Sequence, residues 1–179
     1  MGVRFNSPSS SKIEDLCLKL AREIKSSGFE PDMVVGVCRG GWVPARFLAD
    51  FLGDIREVAS VRAIFYTGIN KTKAKVKITQ PVSASVRGKN VLLVDDVADT
   101  GHTLASVVTH LINKGAREVR VAVLHYKPWS VIKPDYFAAK TTDWVIYPWM
   151  IRETINELKG KDLRLTGIPK KKIEVVSRL

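Results

Sequence analysis

Residues 91–104 bring together acidic side chains and a turn rich in hydroxyl groups. The apolar residues 91–94 predict a short buried strand that runs directly into Asp95 and Asp96. Acids at the carboxyl end of a buried strand lie at the usual ligand crevice of an open α/β sheet. The next turn, residues 99–103, presents hydroxyls and backbone N–H groups at the start of an amphipathic helix, where a phosphate binds readily. This combination suits a sugar phosphate better than a free phosphate or a nucleobase alone.

This turn, called the phosphate turn below, consists of Asp99, Thr100, Gly101, His102 and Thr103. A purely structural interpretation also exists, because strands that end in acids occur in many α/β proteins and Asp-Thr-Gly is also an ordinary helix N-cap. The acid pair, a third acid and the hydroxyls occur together in this short stretch, which favours a ligand site.

A second candidate site is the sequence CRGG at residues 38–41, the CRGG turn, which follows the apolar run 33–37. Gly40 and Gly41 allow the backbone to approach a ligand closely, and Arg39 adds a cation beside their N–H groups. A turn of this kind also serves simply to connect a strand to a helix.

A third candidate site follows the last core strand. Lys127 can donate a hydrogen bond to a carbonyl oxygen, and Trp144, in the run DWVIYPW at residues 143–149, supplies an aromatic face. Neither residue is specific alone, since a tryptophan in a strand usually belongs to the core.

These candidates require an alternation of strands and helices, and the chain has one. Apolar periodicity predicts helices over 12–25, 43–52, 103–113 and 150–159, and strands over 33–37, 57–66, 91–97, 118–126, 135–138 and 143–147. A β-α-β succession of this kind is typical of an α/β fold with a parallel sheet.

Residues 67–89 differ from the rest, because they are polar, basic and broken by Pro81 and Gly88; they predict a long hairpin or a mobile loop. Within the lysine-rich loop 67–80, the alternation places four lysines on one side of a strand, away from Val76 and Ile78; they are Lys71, Lys73, Lys75 and Lys77. One interpretation is a solvated hairpin. The other is a lid whose charge meets a phosphorylated substrate and whose closure excludes water.

The 179 residues are enough for one domain with a sizeable core, and the net charge of +11 implies an acidic partner, either a nucleic acid or a polyphosphate substrate. The lysines at 170–172 are interpreted as a solvated face. No apolar run approaches the roughly 20 residues of a membrane helix, and the N-terminus lacks an apolar signal core. Cys17 and Cys38 do not make a disulfide framework. We therefore expect a cytoplasmic protein.

Residues 91–104 resemble the phosphoribosyl diphosphate (PRPP) binding motif of the type I phosphoribosyltransferases, and the CRGG turn matches the diphosphate loop of that family. The resemblance implies an α/β fold in which helices flank a parallel twisted sheet and a small hood is added. The whole chain, 1–179, would form one domain. Its core would comprise about residues 30–126 and its hood about residues 127–179, with or without the N-terminal helix at 11–27.

The resemblance also implies roles for the site residues. Asp95 and Asp96 would hold the ribose hydroxyls, with Asp96 reaching Mg²⁺ directly or through water, and the phosphate turn would hold the 5′-phosphate. Asp99 would act as the general base at the purine N7. The CRGG turn would bind diphosphate and contain a non-proline cis peptide, for which Arg39–Gly40 is the candidate.

Lys127-Pro128 and the run DWVIYPW are similar to the base-recognition segment of 6-oxopurine phosphoribosyltransferases, especially the xanthine–guanine and archaeal types. By that match, Lys127 meets O6 and N7, Trp144 stacks on the purine, and the Val145 backbone meets the ring edge. The sequence departs from the pattern at Met150, where relatives commonly have an acid that binds a second magnesium or reads the purine 2-position. Glu153, one helical turn later, is a candidate substitute.

The implied activity is purine salvage: transfer of 5-phosphoribosyl from PRPP to N9 of hypoxanthine, guanine or xanthine, with release of diphosphate. The implied partners are PRPP and a purine base, and the family is commonly dimeric or tetrameric. One alternative is a PRPP-binding regulatory or nucleic-acid-binding protein on the same scaffold, although no nucleic-acid module is visible. The other alternative is transfer to adenine or to a pyrimidine. Lys127 argues against adenine, because it favours a 6-oxo group over a 6-amino group.

Overall fold

The computed structural model describes residues 4–53, 55–66 and 75–158. The chain divides into two units, one formed by Asp15–Thr141 and the other by Met1–Glu14 together with Thr142–Leu179. In chain order the elements are β1 (Phe5–Asn6), α1 (Ser10–Ser26), β2 (Met33–Cys38), α2 (Trp42–Phe51), β3 (Val58–Tyr66), β4 (Lys75–Gln80), β5 (Asn90–Ala98), α3 (His102–Asn113), β6 (Glu118–Tyr126), β7 (Tyr136–Lys140), β8 (Trp144–Val145) and α4 (Ile151–Leu158).

The larger unit is built on a six-stranded sheet with the order β4-β3-β2-β5-β6-β7. All neighbouring strands run parallel except β3 and β4, which form an antiparallel pair. From β2 the chain proceeds to β3 on one side, and from β5 it proceeds to β6 and β7 on the other side. The strand order therefore reverses between β2 and β5, and the carboxyl ends of these two strands flank the crevice where open α/β sheets bind ligands.

The helices that follow β2 and β5 lie on opposite faces of the sheet. Gly36 of β2 faces α2, since a methyl group built on Gly36 would lie 3.1 Å from the Ala45 Cβ. Val35, on the other face, belongs to the same apolar cluster as Leu104 and Val107 of α3. Both faces of β2 are thus covered, which explains why its sequence is a continuous apolar run.

The smaller unit contains a short parallel pair, β1 with β8, in which Phe5 lies opposite Trp144. Ile146 and Ile151 are buried together there, with Phe5 and Ile155 packed against them. Strand β1 is not among the predicted elements, because two residues carry no periodicity to detect.

The predicted α/β fold is confirmed, and every predicted helix and strand is present with ends that differ by at most two residues. The hairpin interpretation holds for the part of residues 67–89 that the structure describes, since β4 pairs with β3. Lys77 is exposed there, whereas Val76 and Ile78 are half-buried. Lys71, Lys73 and the lysines at 170–172 lie outside the described residues. None of the helices in the described ranges is long and apolar enough to cross a membrane.

Candidate functional site

The acid pair lies near the carboxyl end of β5, beside the strand-order reversal. Successive side chains of a strand point to opposite faces, so Asp95 and Asp96 diverge. Asp96 is only 8% exposed, and its N–H donates to Asp95 Oδ1 at 2.9 Å. The pKa of Asp95 is held well above its usual value, mainly by burial and to a lesser extent by the charge of Asp96. A pair of neighbouring acids in a largely buried position favours a cation or a hydroxyl donor as an additional partner.

The CRGG turn packs directly against these acids. A methyl group built on Gly40 would lie 2.5 Å from Asp96 Cγ and would overlap the carboxylate. A methyl group on Gly41 would lie 2.8 Å from Asp95 Cα. Neither position has room for a side chain, and Arg39 is exposed beside them. The structure thus brings two of the predicted sites into direct contact.

The cis peptide bond of the CRGG turn joins Cys38 to Arg39, so the expected position at Arg39–Gly40 is wrong by one residue. The two glycines have a separate explanation, because the close approach to Asp95 and Asp96 leaves no space for a Cβ. The sequence indicated that the backbone of this turn makes a close approach, and the packing against β5 identifies the acids as the groups that it approaches.

The phosphate turn leads into α3. Gly101 is the N-cap residue with a φ of 80°, and among the described residues no side chain caps the helix. The first N–H groups of α3 therefore point toward the turn with the positive end of the helix dipole, as an anion site requires. Asp99, Thr100 and His102 are exposed around them.

Residues 127–132, called the cover segment below, lie against the phosphate turn. The Lys127 N–H donates to the Ala98 carbonyl, and the Val131 N–H donates to the Thr100 carbonyl, each at 3.0 Å. A methyl group built on Gly101 would lie 2.8 Å from Ile132 Cγ2. Gly101 is therefore needed both for its left-handed backbone and for the space that the cover segment takes.

Trp129 of the cover segment contacts the phosphate turn through its side chain, and the sequence analysis missed it. Its indole Nε1 donates to Asp99 Oδ1 at 3.0 Å. The ammonium of Lys127, a residue that is 5% exposed, lies 5.2 Å from the centroid of the Trp129 ring. A signal was available, because β5 and β6 were predicted as consecutive parallel strands, and loops that leave the same edge of a sheet meet.

The smaller unit holds the other two residues predicted to bind the purine. Trp144 is 43% exposed, so its ring is accessible for stacking. Its N–H donates to the Arg4 carbonyl at 2.8 Å, and the Ile146 N–H donates to the Asn6 carbonyl at 2.7 Å. Since parallel pairing engages alternate residues, the N–H and C=O of Val145 face the opposite edge of β8. The predicted purine contacts are divided between the units, with Lys127 in the larger one.

Met150 directly precedes α4, and its carbonyl accepts hydrogen bonds from both the N–H and the hydroxyl of Thr154. Glu153 lies in the first turn of α4 and is exposed. Its substitution for the acid expected at Met150 stays a prediction.

The described residues contain no group of three or more His, Cys, Asp or Glu side chains that could hold a metal by themselves. Mg²⁺ fits this arrangement, because it usually takes one or two carboxylates and completes its shell with substrate phosphates and water. Asp96 supplies a hard oxygen ligand beside a turn that has no side chain at Gly40. A magnesium ion here would be shared with a phosphorylated substrate.

Comparison with known proteins adds independent findings. The sequence pattern of the phosphoribosyl transferase domain matches residues 9–154. A xanthine-guanine phosphoribosyltransferase from Gluconobacter oxydans is 33% identical over 118 residues, which cover 65% of this chain and 67% of that protein. A hypoxanthine-guanine phosphoribosyltransferase from Saccharomyces cerevisiae is 29% identical, with 79% of this chain and 83% of that protein covered.

A solved structure is also similar. The crystal structure of a purine phosphoribosyltransferase from Pyrococcus horikoshii superimposes with a TM-score of 0.73 and 34% identity, covering 82% of this chain and 94% of that one. The matched region of the domain pattern includes the CRGG turn, the acid pair, the phosphate turn and the cover segment.

Proposed function

Because this chain belongs to the phosphoribosyl transferase family, we propose that it is a purine salvage enzyme. In this proposal it transfers the 5-phosphoribosyl group of PRPP to N9 of a 6-oxopurine and releases diphosphate. The acceptor class is hypoxanthine, guanine or xanthine. The names of the xanthine-guanine and hypoxanthine-guanine relatives support this class, and Lys127 supports it as a donor for a 6-oxo group.

The observation that carries the proposal is the contact between Gly40 and the Asp96 carboxylate at the reversal of the strand order. PRPP bears two phosphorylated groups on one ribose, so its site needs two anion-binding turns with hydroxyl acceptors between them. The CRGG turn and the phosphate turn are two such turns. The acid pair of β5 lies against the CRGG turn and comes just before the phosphate turn in the chain.

The chemistry follows from the charges that develop. Breaking the bond from C1′ to diphosphate leaves positive charge on the ribose and negative charge on the leaving group. Arg39 and the N–H group of Gly40 would hold the diphosphate. Gly41 would allow the close approach of the backbone, since its own N–H donates to the Val37 carbonyl at 2.8 Å. The phosphate turn would fix the 5′-phosphate and so orient C1′. Asp96 would hold Mg²⁺, which would supply charge neutralisation for the phosphate oxygens.

Two residues of the larger unit would act on the purine. Lys127 would donate to O6 and favour the oxyanion form of the base. Asp99 would accept the proton that the purine loses from N7 as N9 bonds to C1′. Asp99 is exposed at the start of the phosphate turn, which is consistent with a group that meets a substrate.

The remaining parts of the proposal concern the smaller unit and the assembly. The hood stays predicted at about residues 127–179, and the smaller unit contains Thr142–Leu179 of that range. In the proposal, Trp144 stacks on the purine and Val145 meets its edge. A homodimer or homotetramer and a cytoplasmic location stay predictions from the family and the sequence.

The test is a PRPP-dependent assay with Mg²⁺ in which hypoxanthine, guanine, xanthine, adenine and uracil are supplied one at a time. We expect nucleoside monophosphate and diphosphate in equal amounts with at least one 6-oxopurine, and loss of the reaction when EDTA removes magnesium. Transfer only to adenine or uracil would contradict the acceptor class. Salt-sensitive binding of nucleic acid with no transfer to any base would favour the regulatory alternative.

A further inference from the structure

The hydrogen bond from Trp129 to Asp99 joins two loops that are 30 residues apart in the chain. Trp129 is 53% exposed, so burial of its ring does not explain its position. An exposed tryptophan leaves a large apolar surface in water, and its polar edge is directed at a single carboxylate oxygen. The position of this side chain is therefore explained by its contacts and not by packing in the core.

Trp129 also contacts Lys127, which the proposed function assigns to the purine oxygen. The Lys127 ammonium lies 5.2 Å from the centroid of the indole ring, within the range of a cation–π interaction. One face of the ring is thus fixed by the buried lysine, and its N–H edge is fixed by Asp99. The indole connects the two groups that would act on the purine.

An indole N–H only donates a hydrogen bond, and it neither ionises nor accepts a proton at ordinary pH. Trp129 consequently cannot accept a proton from Asp99 or relay one, and its effect on Asp99 is restricted to orientation. A carboxylate has two oxygens, and the bond to Oδ1 leaves Oδ2 for another donor. The backbone is fixed at the same place, because Val131 donates to the Thr100 carbonyl.

We infer that Trp129 is a positioning residue that holds Asp99 by Oδ1 and directs Oδ2 toward the purine proton. This inference rests on the proposed function, since it assumes that Asp99 is the base. Without the indole N–H, the exposed Asp99 side chain rotates among several conformers, and only one of them reaches the purine. The expected consequence is a lower turnover with little change in substrate binding.

The variant that tests this effect is Trp129→Phe, which keeps an aromatic ring beside Lys127 and removes the N–H donor. We expect kcat to fall about tenfold, the scale for loss of a group that orients a catalytic one, while KM for PRPP and for the purine stays within about twofold. Trp42→Phe is the matched control, because Trp42 is also exposed, at 44%. We expect this substitution to leave kcat unchanged. Thermal unfolding of both variants verifies that the fold is retained.

The decisive comparison repeats Trp129→Phe in an Asp99→Ala background. If Trp129 acts through Asp99, the substitution changes the residual kcat by less than about twofold there, because the group it positions is gone. Equal losses in both backgrounds, or no loss in the parent, would overturn the inference. An inactive parent would instead contradict the proposed function, so the two failures are distinguishable.

A spectroscopic readout tests the contact without activity. The indole ¹H–¹⁵N resonance that disappears in Trp129→Phe belongs to Trp129, one of four tryptophans. Asp99→Ala should shift that resonance in the intact protein because its acceptor is removed. An unchanged resonance would overturn the inference.

Discussion

Gly40 provides a sharp test of the site, because replacing it with alanine perturbs one side chain. The added methyl group would lie 2.5 Å from Asp96 Cγ, whereas carbon atoms in contact are about 3.5–4.0 Å apart. Either the carboxylate or the CRGG turn must therefore move by about 1 Å. Asp96 belongs to β5 and is nearly buried, so it has little space into which to rotate.

A displacement of about 1 Å between catalytic groups costs about a hundredfold in rate, which is about 2.7 kcal/mol of transition-state stabilisation. We therefore expect Gly40→Ala to lower kcat/KM for PRPP about a hundredfold. Overpacking of this kind also costs about 1–3 kcal/mol of unfolding free energy. The assay measures initial rates over a range of PRPP concentrations, with a saturating 6-oxopurine.

The control for lost stability is Gly88→Ala. Gly88 has a φ of 73°, and in the described part of the chain no heavy atom apart from its chain neighbours lies within 4 Å of a methyl group built on it. Alanine there costs about 1–2 kcal/mol of backbone strain and should leave kcat/KM unchanged. If Gly40→Ala retains kcat/KM within about threefold of the parent, the contact between the CRGG turn and Asp96 is not part of the substrate site and the reasoning is refuted.

Three further predictions concern other residues. Asp99→Asn should reduce kcat about a hundredfold or more, the usual scale for loss of a general base; parental turnover in steady-state assays would remove Asp99 from that role. Trp144→Ala should raise KM for the purine about tenfold, within the range for base–aromatic stacking, and should raise KM for PRPP much less; equal increases would argue against stacking. The pKa of the His125 imidazole is lowered to about 4, mainly by burial and to a lesser extent by the charge of Lys127. Between about pH 6.5 and 4, the unfolded chain therefore binds a proton that the folded chain does not. The free energy of unfolding, measured with urea, should fall by about 3 kcal/mol as the pH drops through that window, and His125→Gln should flatten this fall; parallel curves would contradict the assignment.

The sheet and its helices were predictable because each carries a strong local pattern. Both faces of β2 and of the first part of β5 are covered, so β2 and residues 91–94 are continuous apolar runs, and α3 follows directly after its turn. The order of these elements then predicts a parallel sheet. Strand β1 was not predictable, since its two residues are fixed by pairing with β8, far away in the chain.

The candidate site was predictable in its parts but not in its contacts. The sequence indicated that Gly40 and Gly41 allow a close approach, yet the group that they approach is the acid pair of β5. Trp129 was missed because an isolated tryptophan after a strand has no distinctive spacing, and its significance depends on the neighbouring loop that holds Asp99. The parallel order of β5 and β6 predicts that these two loops meet, but it does not predict which of their side chains make contact.

The most direct measurement is a crystal structure of the protein with ribose 5-phosphate. We expect the phosphate to accept hydrogen bonds from the backbone N–H groups of the phosphate turn, and the ribose hydroxyls to donate to Asp95 and Asp96. Ribose 5-phosphate bound elsewhere, with the N-terminus of α3 free of it at saturating concentration, would contradict the account.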